Sequence, residues 1–281
     1  MKSWGEELSI SSTNVKTNDF SWQTSLIYSH NRTEITNLYN QGRVIDLVQG
    51  NGFAKQGYPA RALFSIPFVG INEKGNPVCI NEKGQATVGD LNFQERNNTD
   101  YLIYEGSTDP IYNGSLGNTF NYKGFHLNLF LTYAFGNVVR LDPVFKAKYN
   151  DLTSMTHDFK NRWMQPGDEN VTNVPGVVSR YEYEQNRTLL STAYNAYNYT
   201  SVRTAKGDFI RLKEISLAYD FPHRWLENSP VNNISLKLQA TNLMLLYADK
   251  KLNGQDPEFM NAGGVASPMP KQFTLTLKLG L

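Results

Sequence analysis

The sequence predicts an all-β protein: an antiparallel transmembrane β-barrel segment of about seven wall strands with long extracellular loops. Three observations carry that expectation. Apolar and polar residues alternate strictly over stretches of about 9–11 residues, the length a tilted strand needs to cross a bilayer. Aromatic residues make up 12% of the 281 residues, with 16 Tyr and 15 Phe, and such residues favour strands. The connections between alternating stretches are short and long in turn.

The elements follow in chain order. Weak alternation runs from Trp4 to Thr13, then a short turn (Asn14 to Asp19) leads to a second stretch in which Phe20, Trp22, Leu26 and Tyr28 oppose Ser21, Gln23, Ser25 and Ser29. After a long connection, 32–111, Tyr112, Leu116, Phe120 and Tyr122 share a face. Lys123-Gly124 then turns the chain into the clearest strand: Phe125, Leu127, Leu129, Leu131, Tyr133 and Phe135 against His126, Asn128, Phe130, Thr132 and Ala134. A second long connection, 137–207, precedes Asp208 to Phe221, whose phase slips between Leu212 and Ile215. A one-residue slip is the mark of a β-bulge, expected at Lys213-Glu214. A short turn opening with Pro222 gives way to Asn233 to Leu243; a third long connection, 244–271, reaches the last stretch, where Phe273, Leu275, Leu277 and Leu279 share one face.

In an antiparallel meander, alternate connections lie at the same end, so all the short ones share one side and all the long ones the other. Outer-membrane barrels sort their connections in this way, with short periplasmic turns and long extracellular loops. Parity holds only if 32–111 makes no net crossing, so the strand-like run from Ala60 to Val69 is expected in an extracellular hairpin or loop domain and not in the wall. Seven strands are odd in number and below the minimum of about 8 for a closed single-chain barrel, so the segment is incomplete. On this reading Phe125, Leu127, Leu129, Leu131, Tyr133, Phe273, Leu275, Leu277 and Leu279 face lipid.

Totals exclude other classes. The net charge of +1 gives no reason to expect nucleic acid. A single cysteine, Cys79, rules out a disulfide framework and paired-cysteine zinc sites. No stretch approaches the ~20 apolar residues of a spanning helix. The mean hydropathy of -0.47 does not argue against membrane strands, because every second residue faces a polar lumen. No nucleophile elbow, H-E-x-x-H or phosphate loop is present, so no enzyme activity and no cofactor or metal is expected. His126, Asn128 and Ser115 could form a lumenal hydrolytic trio, but alternation already demands polar residues there. Asp249, Asn253 and Gly254 resemble part of a calcium loop, with Lys251 at a ligand position.

The 137–207 connection is expected to hold a short helix. Asp142-Pro143 has the form of a cap followed by proline, and Leu152, Met155, Phe159 and Trp163 recur at helical spacing before Gln165-Pro166-Gly167. Downstream, Tyr181, Tyr183, Tyr194, Tyr197 and Tyr199 form an aromatic tract. Such a tract suits sugar or peptide stacking, a protein interface, or ordinary loop packing. With Trp163, these tyrosines are the candidate contacts to a ligand or lid.

Several phrases resemble SusC/RagA-type TonB-dependent transporters: Arg211-Leu212-Lys213-Glu214-Ile215-Ser216-Leu217-Ala218-Tyr219; Asn242-Leu243 with Gly254-Gln255-Asp256-Pro257-Glu258; Asn118 with Tyr122-Lys123-Gly124-Phe125; and Trp163 with Pro166-Gly167-Asp168. They stand in family order, and the similarity spans essentially the whole chain. The resemblance implies the C-terminal part of a large bacterial outer-membrane barrel that imports oligosaccharides or peptides. It further implies a SusD-like surface lipoprotein as lid, and TonB acting through an N-terminal plug domain that has no counterpart in this sequence. The alternative is a soluble all-β carbohydrate-binding or adhesin-like module that uses the tyrosine tract.

Overall fold

A computed structural model describes the chain except for residues 51–53, 151, 153, 228–229, 261–269 and 281. The chain opens with two strands of equal length, β1 (Lys2–Lys16) and β2 (Phe20–Glu34). The connection that follows holds helix α1 (Val44–Gln49) and strands β3 (Ala62–Ser65), β4 (Phe68–Ile71), β5 (Pro77–Ile80), β6 (Ala86–Thr87) and β7 (Ile103–Ser107). A tight hairpin joins β8 (Tyr112–Tyr122) to β9 (Phe125–Phe135). The next connection holds β10 (Val138–Arg140), α2 (Arg180–Gln185), α3 (Arg187–Asn198) and β11 (Thr204–Lys206). Strands β12 (Phe209–Asp220), β13 (Asn233–Ala248) and β14 (Gln272–Gly280) complete the chain.

Seven strands form one antiparallel sheet in the order β1-β2-β8-β9-β12-β13-β14, and the run from Ala60 to Val69 stays outside it. The sheet is open, with β1 and β14 as its edges. The β8–β9 turn explains the Lys123-Gly124 pair: both residues have positive φ, 46° and 88°, the two-residue geometry whose twist matches the flanking strands. The expected bulge is present. Against β9, Leu212 faces Leu131 and Glu214 faces Phe130, leaving Lys213 as the extra residue.

The hydrophobic core lies outside this sheet, in the loop body that the long connections build. Val44, Leu47 and Val48 of α1 pack against Ala62, Phe64, Ile66, Cys79, Leu102, Ala196 and Tyr199. Backbone contacts join the first two long connections: Ile66 bridges Thr200 in parallel, and its N–H donates to Tyr199 O. Arg140 ties the joint further, its guanidinium donating to Thr200 O (2.8 Å), Phe64 O (2.6 Å) and Val48 O (3.2 Å). Burial lowers its pKa to about 10.

One expected element is placed elsewhere. The described residues between 142 and 163 do not form the amphipathic helix that their spacing predicts; among them the helical turn is the 3-10 turn His157–Asn161. Its backbone groups are engaged by other partners: the side chain of Asn198 binds both N–H and C=O of Phe145, and the Trp163 N–H donates to Val174 O. Leu152 is 95% exposed, so the apolar spacing there marks no packed face. The helices lie in the tyrosine tract instead. In α3, Leu190, Ala193, Tyr194 and Tyr197 recur at i, i+3, i+4 and i+7 and are all buried, the pattern of a helix with one face in a core.

Candidate barrel wall and loop cap

The sheet register aligns side chains from strand to strand into continuous rows. On one face a row runs Trp22, Phe120, Leu127, Leu217, Leu238, Leu275, and a second runs Phe20, Tyr122, Phe125, Tyr219, Leu236, Leu277. Nearer the long connections the same face carries Ile10, Leu26, Leu116, Leu131, Leu212 and Met244. The opposite face carries Gln23, Thr119, Asn128, Ser216, Gln239 and Thr274 in one unbroken polar row. A one-residue slip at any pair would exchange the two faces, so seven strands in phase are one specification.

Aromatic rings concentrate at both ends of the apolar face. Phe125 and Tyr219 lie 4.4 Å apart near the short turns, with Phe221 and Trp225 beyond them. Tyr28, Tyr112, Tyr133, Phe135 and Tyr247 gather near the long connections. From Phe125 to Phe135 the strand rises about 33 Å, which at a tilt of roughly 40° is about 25 Å of vertical height. That is the thickness of the apolar band of an outer-membrane barrel. Phe125, Phe273, Leu275, Leu277 and Leu279 are exposed, while Leu127, Leu129, Leu131 and Tyr133 are half-buried by their neighbours in the sheet. Polar residues on this face are paired with one another: Asn118 accepts from Trp22 Nε1 (2.9 Å) and from the Thr24 hydroxyl (2.8 Å).

The possible lumenal trio is dispersed. Ser115 stands opposite Thr132, whereas His126 stands opposite Asn121, a separation of six positions or about 20 Å along the strand. His126 instead lies 2.6 Å from Asn121 Oδ1 and 2.9 Å from Asp220 Oδ2. Asp249 accepts from the Lys251 and Lys206 N–H groups and so caps a turn. Among the described residues no group of three or more metal-ligating side chains occurs.

The six candidate ligand or lid contacts divide by exposure. Tyr194, Tyr197 and Tyr199 lie in the loop-body core, 1%, 2% and 8% exposed. Tyr197 packs edge-on against Phe68 and Phe145, and the Tyr194 hydroxyl donates to Gly176 O at 2.5 Å. Tyr181 is exposed, and Tyr183 and Trp163 are half-buried. Trp163 rests against Gly75 and Gly176, where any Cβ would meet its ring, and its Nε1 donates to Glu169 Oε2 (2.9 Å). The neighbouring Asp168 carboxylate accepts from Met164 N and Gln165 N, which accounts for the Pro166-Gly167-Asp168 turn.

Two further residues stand out only in the structure. Arg211, on the polar face of β12, is 4% exposed and meets Asp256 at 2.5 Å and Glu258 at 3.1 Å. Arg203, 3% exposed, stacks 4.8 Å over the Phe145 ring and donates to Asp142 O (3.1 Å).

The sheet is thus an open arc of barrel wall. Among curated sequences, it is similar to the TonB-dependent receptor P39 of Formosa agariphila, with 24% identity over 94% of this chain and 28% of the relative. It is also similar to the TonB-dependent receptor SusC of Bacteroides thetaiotaomicron, with 24% identity over 100% of this chain and 26% of the relative. Among solved structures, the RagAB peptide importer in its closed-closed state matches with a TM-score of 0.70 and 22% identity, over 99% of this chain and 29% of that one. The RagAB peptide transporter matches with a TM-score of 0.69 and 21% identity. No family model matches the chain. The chain spans under a third of the length of these relatives. In sequence and in fold the chain is thus similar to a segment of SusC- and RagA-like TonB-dependent receptors.

Proposed function

We propose that the chain forms part of the wall and extracellular mouth of a bacterial outer-membrane transporter that imports oligosaccharides or peptides. The observation that carries this is the pairing of an unbroken polar row with apolar rows bounded by two aromatic girdles. An apolar face about 25 Å high suits a hydrocarbon core, and a polar face suits a water-filled lumen. On this reading the nine apolar residues named from Phe125 to Leu279 touch lipid, and the loop body stands outside the cell. A SusD-like lipoprotein lid would contact that body, with Trp163, Tyr181 and Tyr183 as the accessible aromatic contacts. TonB would act through a plug and not through this wall.

The test is cell fractionation with detergent extraction. The protein is expected with the outer membrane, released only by detergent, and migrating differently on gels before and after heating. Recovery as a water-soluble monomer that unfolds cooperatively without detergent would overturn the reading in favour of a soluble binding module.

A further inference from the structure

We propose that a cavity of about 310 Å³ between α3 and the segment 143–148 binds a carboxylate group of the transported substrate; this rests on the transporter reading and narrows its substrate class. The cavity is built from a fixed frame. Asn198, 3% exposed, accepts from Phe145 N (3.1 Å) and donates to Phe145 O (2.8 Å) and to Tyr194 O (3.0 Å). These bonds hold the backbone of Phe145 on the helix, as a paired strand would. The next residues along, Lys146 and Lys148, then line the opening together with Tyr183, Ser191 and Asn195.

The charges around the cavity are unequal. Lys148 Nζ lies 5.6 Å from the centre of the Tyr183 ring, and the Arg187 guanidinium lies 6.0 Å from it. Lys146 forms no ion pair with any described residue. Against these three cations α2 offers Glu182 and Glu184, of which Glu184 reaches Lys148 at 3.7 Å with both partners half exposed. With Arg180 also on α2, cations outnumber anions among these described residues, which suits a carboxylate. Tyr183 Oη and Ser191 Oγ are 3.3 Å apart, and with Asn195 they supply neutral hydrogen-bonding groups beside an aromatic ring. A ring edge, hydroxyls and ammonium groups around one opening suit an acidic sugar or an acidic side chain. The Tyr183 hydroxyl, held below its usual range by its bonds to Ser191 and then Arg187, fits the same positive surroundings.

The test is calorimetric titration of the detergent-purified protein with four probes: trigalacturonate, its methyl ester, tetraglutamate and tetraglutamine. At least one carboxylate probe is expected to bind about tenfold more tightly than its neutral counterpart. That preference is expected to vanish in the Lys146→Gln/Lys148→Gln variant and to shrink as salt rises. Which acidic probe binds distinguishes a sugar source from a peptide source. Both lysines are exposed, so an unchanged unfolding midpoint accompanies the variant. Equal binding of charged and neutral probes, a preference that survives in the variant, or binding by neither carboxylate overturns the proposal. Neutral probes that bind alone leave the transporter reading standing.

Discussion

Arg211 on β12 and Asp256 in the last long connection form a two-oxygen ion pair, with Arg211 Nη2 2.5 Å from each carboxylate oxygen. Both side chains are nearly inaccessible, 5% and 6% exposed. Two of the family-like phrases in the sequence are therefore one structural unit, since the first supplies the cation and the second its counter-ion. Removing Asp256 leaves the buried Arg211 guanidinium with the half-exposed Glu258 as its remaining counter-ion. Asp256→Ala is expected to cost about 3–5 kcal/mol, read as the urea midpoint of refolded protein in detergent. The double variant Arg211→Met/Asp256→Leu is expected to cost less, because the charge left unpaired, Glu258, reaches water and no buried charge remains.

The two faces of β9 give a direct contrast. Leu129 lies at mid-strand in the apolar face, and its neighbour Asn128 lies in the polar row, accepting from the Thr119 hydroxyl at 3.2 Å. Leu129→Arg is expected to cost about 2–4 kcal/mol of folding stability in lipid, and Asn128→Arg well under half of that. Equal costs in liposome unfolding measurements would show that neither face meets hydrocarbon.

Cys79 provides a probe of the loop body. It is 1% exposed, and burial pushes its thiol up to about 12. At pH 8 its thiolate population is lower than that of a free thiol by roughly a thousandfold. Maleimide labelling is therefore expected to be slow in the folded protein and rapid after denaturation. Because the folded pKa lies above the unfolded one, the unfolded state loses its proton first. Stability from this group is full below about pH 8.5 and declines as pH rises toward 12; a midpoint that rose with alkali would contradict this.

Gly75 has φ +78° and sits beneath Trp163, where a Cβ would stand 2.4 Å from the ring carbon Cε3. Gly75→Ala is expected to cost about 1–3 kcal/mol through overpacking alone. The local readout is faster proteolytic cleavage near Trp163, with strands β8 and β9 still protected.

Much of the wall was legible because a strand writes its two faces into the sequence at period two. Leu127 and Asn128 declare opposite sides without any knowledge of their neighbours. The phase slip at Lys213 was readable for the same reason. The loop body was harder, because its contacts join residues far apart in the chain. The Leu152-to-Trp163 spacing mimicked a helix, while the Leu190, Ala193, Tyr194, Tyr197 period was present but overshadowed by its tyrosines. Likewise Tyr194 and Tyr197 have the chemistry of ligand contacts, and only the fold reveals that packing against Phe145 and Phe68 occupies their rings. The roles of Arg140 and Asn198 depend on backbone atoms, which leave no trace in side-chain patterning.

The joint between the two long connections has a mechanical consequence. Ile66, in the first, is paired with Thr200 in the second, and Arg140 reaches across to Val48 and Phe64. Neither excursion owns a complete interior, so neither can be trimmed, swapped or hinged by itself. Whatever displacement the rim of this barrel undergoes, these two segments travel as a single slab, anchored at four strand ends.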